Sequence, residues 1–269
     1  MSAFLLGHEP AIRLAGFAGV FCVVALWELA APRRLLTHGR RRWWANLGLS
    51  ATGTLSIRLT MPILAVGTAV WAAENRFGLL NHVDWPLFLS LPLTLIALDL
   101  LVYGQHVAFH RIGFFWRLHR VHHADPDIDV TTGIRFHPLE IILSMILKVV
   151  AVAALGASPL AVLVFEILLN GTSMFNHGNV RLGAAADRVL RLFVVTPDMH
   201  RVHHSVERDE HDRNFGFNLS LWDRLFGTYR AQPRGGHMAM RIGLADYAGP
   251  APTRFFWSLG LPFFREGAR

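Results

Sequence analysis

The chain has 269 residues, a common length for one domain, and its composition is 52% hydrophobic but only 17% charged. Soluble domains average about 25% charged residues, so this composition predicts an integral membrane protein. The formal net charge is +7, and the arginines border apolar stretches, as they do on the cytoplasmic side of membrane proteins. No nucleic-acid partner is therefore expected. The single cysteine, Cys22, excludes a disulfide framework and a cysteine-based metal site within the chain.

Apolar stretches in the first two thirds of the chain predict membrane spans. They cover residues 11–31, 47–73, 86–103, 139–155 and 160–175. The last two are short and are joined by Gly-Ala-Ser-Pro, so they predict a helical hairpin that either crosses the membrane or re-enters. The predicted fold is all-α, an integral membrane bundle of four to five spanning or re-entrant helices. The arginine-rich residues 33–42 predict that this loop lies in the cytoplasm.

Histidine is concentrated in three short clusters. They contain His106 and His110, then His119, His122 and His123, and finally His200, His203 and His204. Side chains three or four residues apart share one face of a helix, so each cluster presents its imidazoles together. Imidazole is a common ligand of iron, zinc, copper and nickel, and eight of them predict a site for more than one metal ion. Counting spans from the arginine-rich loop places all three clusters on the cytoplasmic side.

The order of these clusters resembles the fatty acid hydroxylase/sterol desaturase superfamily of membrane oxygenases. Arg-Phe-His-Pro-Leu-Glu at residues 135–140 looks like the arginine/histidine-proline segment of that family, and Phe-Asn-His-Gly-Asn at 175–179 looks like its isolated histidine element. Residues 196–205, 214–216 and 222–229 look like its C-terminal signature.

The resemblance implies a di-iron centre that activates O2 to hydroxylate or desaturate a lipid, such as a sterol or a fatty acyl chain, in lipid biosynthesis. A separate redox partner of the ferredoxin or cytochrome type would supply electrons, because the chain has no haem, flavin or cysteine-cluster motif. The implied metal ligands are His106, His110, His119, His122, His123, His177, His200, His203 and His204, with His137 as a weaker candidate.

The length and composition predict one integral-membrane domain over residues 1–269, and the resemblance covers residues 95–230 of it. Spanning helices would occupy residues 1–94, the catalytic region residues 95–230, and an interfacial tail residues 231–269. The tail prediction depends on aromatic residues beside Arg254 and Arg265.

Two further side chains are candidates for a supporting role beside the ligands. Asp99 lies seven residues before His106, on the same helix face, and is expected either to orient a ligand histidine or to pair with an arginine. Relatives with a further histidine element often have His-x-x-x-His where this chain has Ser173 before His177. One metal would then take water, a carboxylate or Asn214 instead, although Asn214 also fits a purely structural turn.

Two functions from other classes remain open at this point. A non-catalytic membrane protein that binds or transports metal would place its ligands within the spans, whereas these clusters are predicted at one membrane face. A zinc hydrolase would need a general base beside the ligands, and the chain has no His-Glu-x-x-His arrangement. The spacing of the histidines alone does not separate iron from zinc.

Overall fold

The structure is a computed structural model that describes Phe4 and residues 7–264, so Arg265 of the predicted tail lies outside the described residues. The described part of the chain contains helices and three isolated β-bridges but no β-strand, which confirms the all-α prediction. The long helices are α1 Glu9–Ala30, α2 Trp43–Thr60, α3 Ala65–Glu74, α4 Leu87–Arg111, α5 Gly113–His123, α6 Pro138–Leu155 and α7 Pro159–Asn176. The short ones are α8 Ala184–Leu190, α9 Pro197–His203, α10 Arg208–His211, α11 Leu221–Leu225, α12 Gly236–Ala239 and α13 Phe255–Gly260.

Within the described residues, five segments are long and apolar enough to cross a membrane. They are Glu9–Ala30, Gly39–His82, Leu87–Arg111, Pro138–Leu155 and Pro159–Asn176. The second segment is interrupted between α2 and α3, where Pro62 has no amide hydrogen to continue the helix. Large apolar side chains such as Leu55, Phe88 and Val150 are exposed on the outside of the bundle, as expected of a surface that faces lipid.

Helix direction places the histidine clusters at one end of the bundle. The turn after α6 at Gly156, with φ +67°, meets Gly78 in the loop before α4, and a Cβ on Gly78 would lie 2.3 Å from the Gly156 nitrogen. These loops form the end opposite the histidines. At the other end, called the histidine end below, Glu28 at the end of α1 accepts hydrogen bonds from the amides of Val130 and Asn179. The helices α4 and α7 also finish there, and α2 and α6 begin there.

Local sequence accounts for where several of these helices begin. Proline occupies the first position of α6, α7 and α9, where its missing amide hydrogen is no loss. The preceding residue caps each helix: the side chains of His137, Ser158 and Thr196 accept hydrogen bonds from backbone amides in the first turn. A break separates α4, which ends at Arg111, from α5, which begins at Gly113.

The C-terminal segment packs on the bundle beside the second histidine cluster. Arg120 on α5 donates to the carbonyl oxygens of Leu261 and Phe264, at 2.6 and 2.8 Å. Arg135 donates to Pro252 O and Ser258 Oγ. Phe256 and Phe263 remain 82% and 70% exposed, so the segment has one face on the protein and one apolar face turned outward.

Candidate metal centre

Nine imidazoles are buried together at the histidine end, supplied by four different helices or helix ends. The structure brings together all nine histidines named above as implied ligands, and each is at most 6% exposed. The last turns of α4 carry His106 and His110, α5 carries the second cluster, His177 follows α7, and α9 carries the third cluster. Tertiary packing therefore joins clusters that lie up to about 100 residues apart in the chain.

The nine imidazoles form two adjacent groups in which the ring nitrogens converge to within 4.8 Å of one another. Centre A contains His106, His110, His119, His123 and His203. Centre B contains His122, His177, His200 and His204. The groups meet where the rings of His123 and His204 stack with centroids 4.6 Å apart. A pair of neighbouring sites of this kind suits two metal ions.

Hydrogen bonds at the outer nitrogens fix the tautomers in centre A. Nδ1 of His106 lies 2.7 Å from Phe215 O, and Nδ1 of His203 lies 2.7 Å from Arg213 O. A carbonyl oxygen only accepts, so Nδ1 carries the hydrogen in both rings and Nε2 of the neutral ring is a lone pair. Those Nε2 atoms are buried and have no hydrogen-bond partner among the described residues. Buried lone pairs that converge without donors are what a bound cation would satisfy.

The same argument is stronger in centre B, because two lone pairs face each other. His122 Nδ1 donates to Arg135 O at 3.1 Å, and His177 Nδ1 donates to Ser173 O at 2.6 Å. Both Nε2 atoms then lack a hydrogen, yet they lie 3.0 Å apart. Two nitrogens bound to one metal ion at about 2.0–2.1 Å are separated by about 2.9–3.4 Å, so this spacing fits an edge of a coordination shell. The residues present therefore fit a metal ion.

Burial keeps these imidazoles in the form that binds metal. Burial lowers the pKa of His119 and of His177 to about 3. It also lowers the pKa of His122 and His204 well below the usual range, and neighbouring histidines lower it further. Neutral imidazole is the ligand form, so no proton has to be displaced from these rings at neutral pH.

Among the residues that the structure describes, Glu140 on α6 is the one carboxylate that hydrogen-bonds a ring nitrogen of the nine. Its Oε1 lies 2.7 Å from His119 Nδ1, and the side chain is buried. A carboxylate in this position fixes the ring and makes its other nitrogen a better donor to metal. Sequence reasoning assigned Glu140 no role, although it belongs to the segment at 135–140 that carries the family resemblance.

Glu140→Gln is expected to weaken metal binding at centre A by about 10–100-fold, because the amide keeps the shape but not the charge. Titration of the purified protein with a chelator, read as metal ions per chain, measures this effect. Metal at centre B serves as the internal control and is expected to leave at the same chelator concentration as in the wild type. Unchanged retention at both centres would show that Glu140 has no such role.

Asp99 forms no hydrogen bond or ion pair with a histidine or an arginine of the described residues, so it is not placed as the sequence led us to expect. Seven residues of helix separate it from His106 by about 10 Å along the axis, beyond direct contact. Its carboxylate instead accepts hydrogen bonds from Asn218, Leu219 and Trp222 Nε1. Asp99 thereby anchors residues 218–222. These follow Phe215, whose carbonyl oxygen accepts the hydrogen bond from His106.

His137 and Asn214 have structural roles in the described part of the chain. His137 caps α6 through Nδ1, and its Nε2 donates to Leu259 O at 3.1 Å, so the structure does not bring this weaker ligand candidate into either centre. Asn214 adopts φ +54° and its amide group donates to Met199 O and Arg230 O. Asn214 holds a turn beside α9 and is not among the groups that converge on either centre.

His211 and Asp212 lie beside centre A and were missed from the sequence. The His211 ring centroid is 4.5 Å from that of His123, and Asp212 Oδ1 is 3.4 Å from His110 Nδ1. These two residues and His110 form a third group of potential ligands. His211 follows His204 by seven residues, but α9 ends at His203 and the intervening residues 205–207 are not helical, so helical spacing does not relate His211 to the third cluster.

Comparison with known proteins places these features in a family context. A profile of the family described as fatty acid hydroxylase matches residues 91–228, and this range includes all nine histidines. The chain is 30% identical to the ornithine lipid hydroxylase OlsE of Rhizobium tropici over 77% of its length. It is 29% identical to the human alkylglycerol monooxygenase over 61% of its length, and 32% identical to the very-long-chain aldehyde decarbonylase GL1-1 of rice over 60%.

These matches cover only part of the relatives. The chain spans 60% of the length of the Rhizobium protein, 35% of the human protein and 27% of the rice protein. No solved structure matches the chain.

Proposed function

Because the chain belongs to the fatty acid hydroxylase family, we propose that it is a membrane-bound, O2-dependent oxidoreductase that uses two iron ions to hydroxylate or desaturate a lipid. The resemblance inferred from the histidine motifs is confirmed at the level of the family. The observation that carries the proposal is the pair of buried imidazole groups whose ring nitrogens converge to within 4.8 Å, several of them without a hydrogen-bond partner among the described residues.

In this proposal the five histidines of centre A hold one ion and the four of centre B hold the other. Bound iron would supply the activation of O2 and the attack on a C–H bond. The protein positions the ligands: the carbonyl oxygens of Phe215, Arg213 and Ser173 accept from ring nitrogens and so aim the opposite nitrogens inward. Because these acceptors are backbone atoms, the geometry of both centres is set by the fold itself.

Aromatic rings around the two centres exclude water from the proposed reaction. Phe136 stacks on His122 with ring centroids 4.6 Å apart, and Phe217 lies 5.3 Å from His106. Phe215 is fully buried between α4 and α9. Exclusion of water protects reactive oxygen chemistry from side reactions and directs it to the substrate.

The lipid substrate and the cytoplasmic orientation belong to the same proposal. The relatives named for ornithine lipids and alkylglycerols support a lipid as the substrate. The five apolar segments support a multi-pass membrane protein. Arg34, Arg41 and Arg117 lie at the histidine end, so the positive-inside rule favours the cytoplasm for this end. A ferredoxin or cytochrome type of redox partner would deliver electrons there. Residues 95–230 are proposed as the catalytic region.

Incorporation of oxygen from labelled O2 into a lipid tests the proposal. The purified protein, loaded with iron in lipid nanodiscs and supplied with a reductase and ferredoxin, is expected to add one labelled oxygen atom to a membrane lipid or to remove two hydrogens. Mass spectrometry of extracted lipids measures either product, with His177→Ala as the inactive control. Absence of any oxidised product from ornithine lipids, alkylglycerols, sterols or acyl lipids would contradict it. Stoichiometric zinc with hydrolysis of a lipid would favour the zinc hydrolase instead.

A further inference from the structure

A polar cavity lies beside the metal centres, at the edge of the histidine end. It has a volume of about 670 Å³ and lies between α8, α9 and the segment at 229–237. Four arginines line it: Arg33, Arg181, Arg188 and Arg191. Two aspartates, Asp187 and Asp198, are the acidic residues of its lining, so positive charge is in excess.

The arginines divide into two that are neutralised and two that are free to bind a ligand. Arg33 makes a bidentate contact to Asp198, with nitrogen–oxygen distances of 3.0 and 3.2 Å, and Arg191 pairs with Asp187. Arg181 and Arg188 are exposed, and their side chains form no hydrogen bond or ion pair with any described residue. Two unpaired guanidinium groups at one cavity favour an oxyanion, because the arginine fork matches the geometry of phosphate and carboxylate.

A buried side chain in the cavity wall also lacks a partner. His237 is 5% exposed, and in the described part of the chain neither of its ring nitrogens has a hydrogen-bond partner. Its Nε2 lies 3.6 Å from Asp198 Oδ2, beyond hydrogen-bond distance. Buried polar atoms are nearly always satisfied, so an unsatisfied imidazole that lines a cavity indicates a polar ligand.

Exposed apolar side chains lie next to the cavity-lining arginines in the chain. Val189 and Phe193 are 58% and 66% exposed, and they alternate along the chain with Arg188 and Arg191 of the cavity. Phe226 is 54% exposed and stacks on Tyr103 of α4 with ring centroids 5.3 Å apart. Arginines interleaved with exposed apolar side chains are typical of a segment that lies in the membrane interface.

We propose that this cavity binds the phosphate or carboxylate headgroup of an anionic membrane lipid, with Arg181 and Arg188 as its principal contacts. The unpaired arginines supply the charge complementarity, and the adjoining apolar surface keeps the acyl chains in the bilayer while the headgroup enters the cavity. A soluble anion has no acyl chains, so it would not contact the adjoining apolar surface. Binding of a lipid headgroup at this cavity requires neither bound metal nor catalytic turnover, so it can be tested separately from the proposed oxygenase activity.

Binding of phosphatidylglycerol and phosphatidylcholine with identical acyl chains tests this proposal, read by native mass spectrometry of the full chain in detergent. The wild type is expected to prefer phosphatidylglycerol by about tenfold, since charge-assisted contacts to arginine are the strong ones. Arg181→Gln combined with Arg188→Gln is expected to remove the preference. Arg208→Gln combined with Arg241→Gln is the matched control, because both side chains are 72% exposed at sites away from the cavity.

Three outcomes would overturn the proposal. Equal binding of the two lipids by the wild type would show that the cavity does not select an anionic headgroup. Loss of the preference in the control pair as well would assign it to the general surface charge. Displacement of phosphatidylglycerol by inorganic phosphate at the same concentration would identify a site for a soluble anion. Metal content per chain, measured on the same samples, shows whether each variant is folded at the histidine end.

Discussion

Replacing His203 by alanine is expected to remove the metal bound at centre A, lowering the content from two ions per chain to about one, and to abolish lipid oxidation. His203 contributes an unpartnered Nε2 to this centre, and its Nδ1 is already committed to Arg213 O. Loss of a residue that merely supports a ligand costs about 10–100-fold in metal affinity or activity, so loss of the ligand itself is expected to exceed a hundredfold.

The matching substitution at centre B is His177→Ala, and it is expected to leave the ion at centre A in place. His137→Asn is the control, because His137 is a buried histidine near the same end that caps α6 but belongs to neither centre, and asparagine preserves a helix cap. Elemental analysis of detergent-purified protein gives ions per chain for each variant. A full metal complement in both alanine variants would refute the assignment of the two centres.

The histidine clusters were predictable because helix periodicity is a local property. Spacings of three and four residues define a helix face whatever surrounds it, and all three clusters occur on helices or at helix ends. The beginning of α9 is marked by a local signal of the same kind, because Thr196 caps the helix and Pro197 occupies its first position. Counting membrane spans along the sequence also predicted that the three clusters lie at the same end of the bundle.

The partners of the ligand nitrogens were not predictable, because they depend on contacts between distant segments. Sequence reasoning chose Asp99 by its position on the helix of His106, whereas the carboxylate that reaches a histidine is Glu140, on α6. Four other acceptors of ligand ring nitrogens are carbonyl oxygens, which every residue possesses and no side-chain pattern marks. The grouping of His122 with His177, rather than with its neighbour His123, is likewise a result of packing.

The arginine-rich loop shows a second limit of sequence reasoning. The run of arginines at 40–42 predicts a solvated cytoplasmic loop, and Arg40 and Arg41 are indeed exposed. Arg42, next to them, is completely buried. A run of like residues does not reveal which member finds acidic partners, and those partners lie about 85 residues away, in a segment whose sequence predicts only a turn.

Arg42 joins the beginning of α2 to the loop after the second histidine cluster. It donates to Asp125 at 2.6 Å and also to Asp129, and its Nε is 3.5 Å from Asp127. Asn46 on α2 donates to the same Asp125 oxygen at 3.0 Å. Burial raises the pKa of Asp125, but the adjacent arginines, Arg42 first, outweigh it and hold the pKa below the usual range. The loop therefore carries buried carboxylates, and the arginines packed against them neutralise their charge.

Arg42→Met is expected to destabilise the protein by about 3–5 kcal/mol, because it leaves the carboxylates of Asp125 and Asp129 buried without their arginine. Thermal unfolding in one detergent, compared with the wild type, measures the loss. Arg41→Met is the matched control and is expected to change stability by no more than about 0.5 kcal/mol, since Arg41 is exposed. Adding Asp125→Asn and Asp129→Asn to Arg42→Met is expected to recover part of the stability, because the uncompensated charges are then removed. Equal effects of the Arg42 and Arg41 substitutions would show that the buried ion cluster does not stabilise the histidine end.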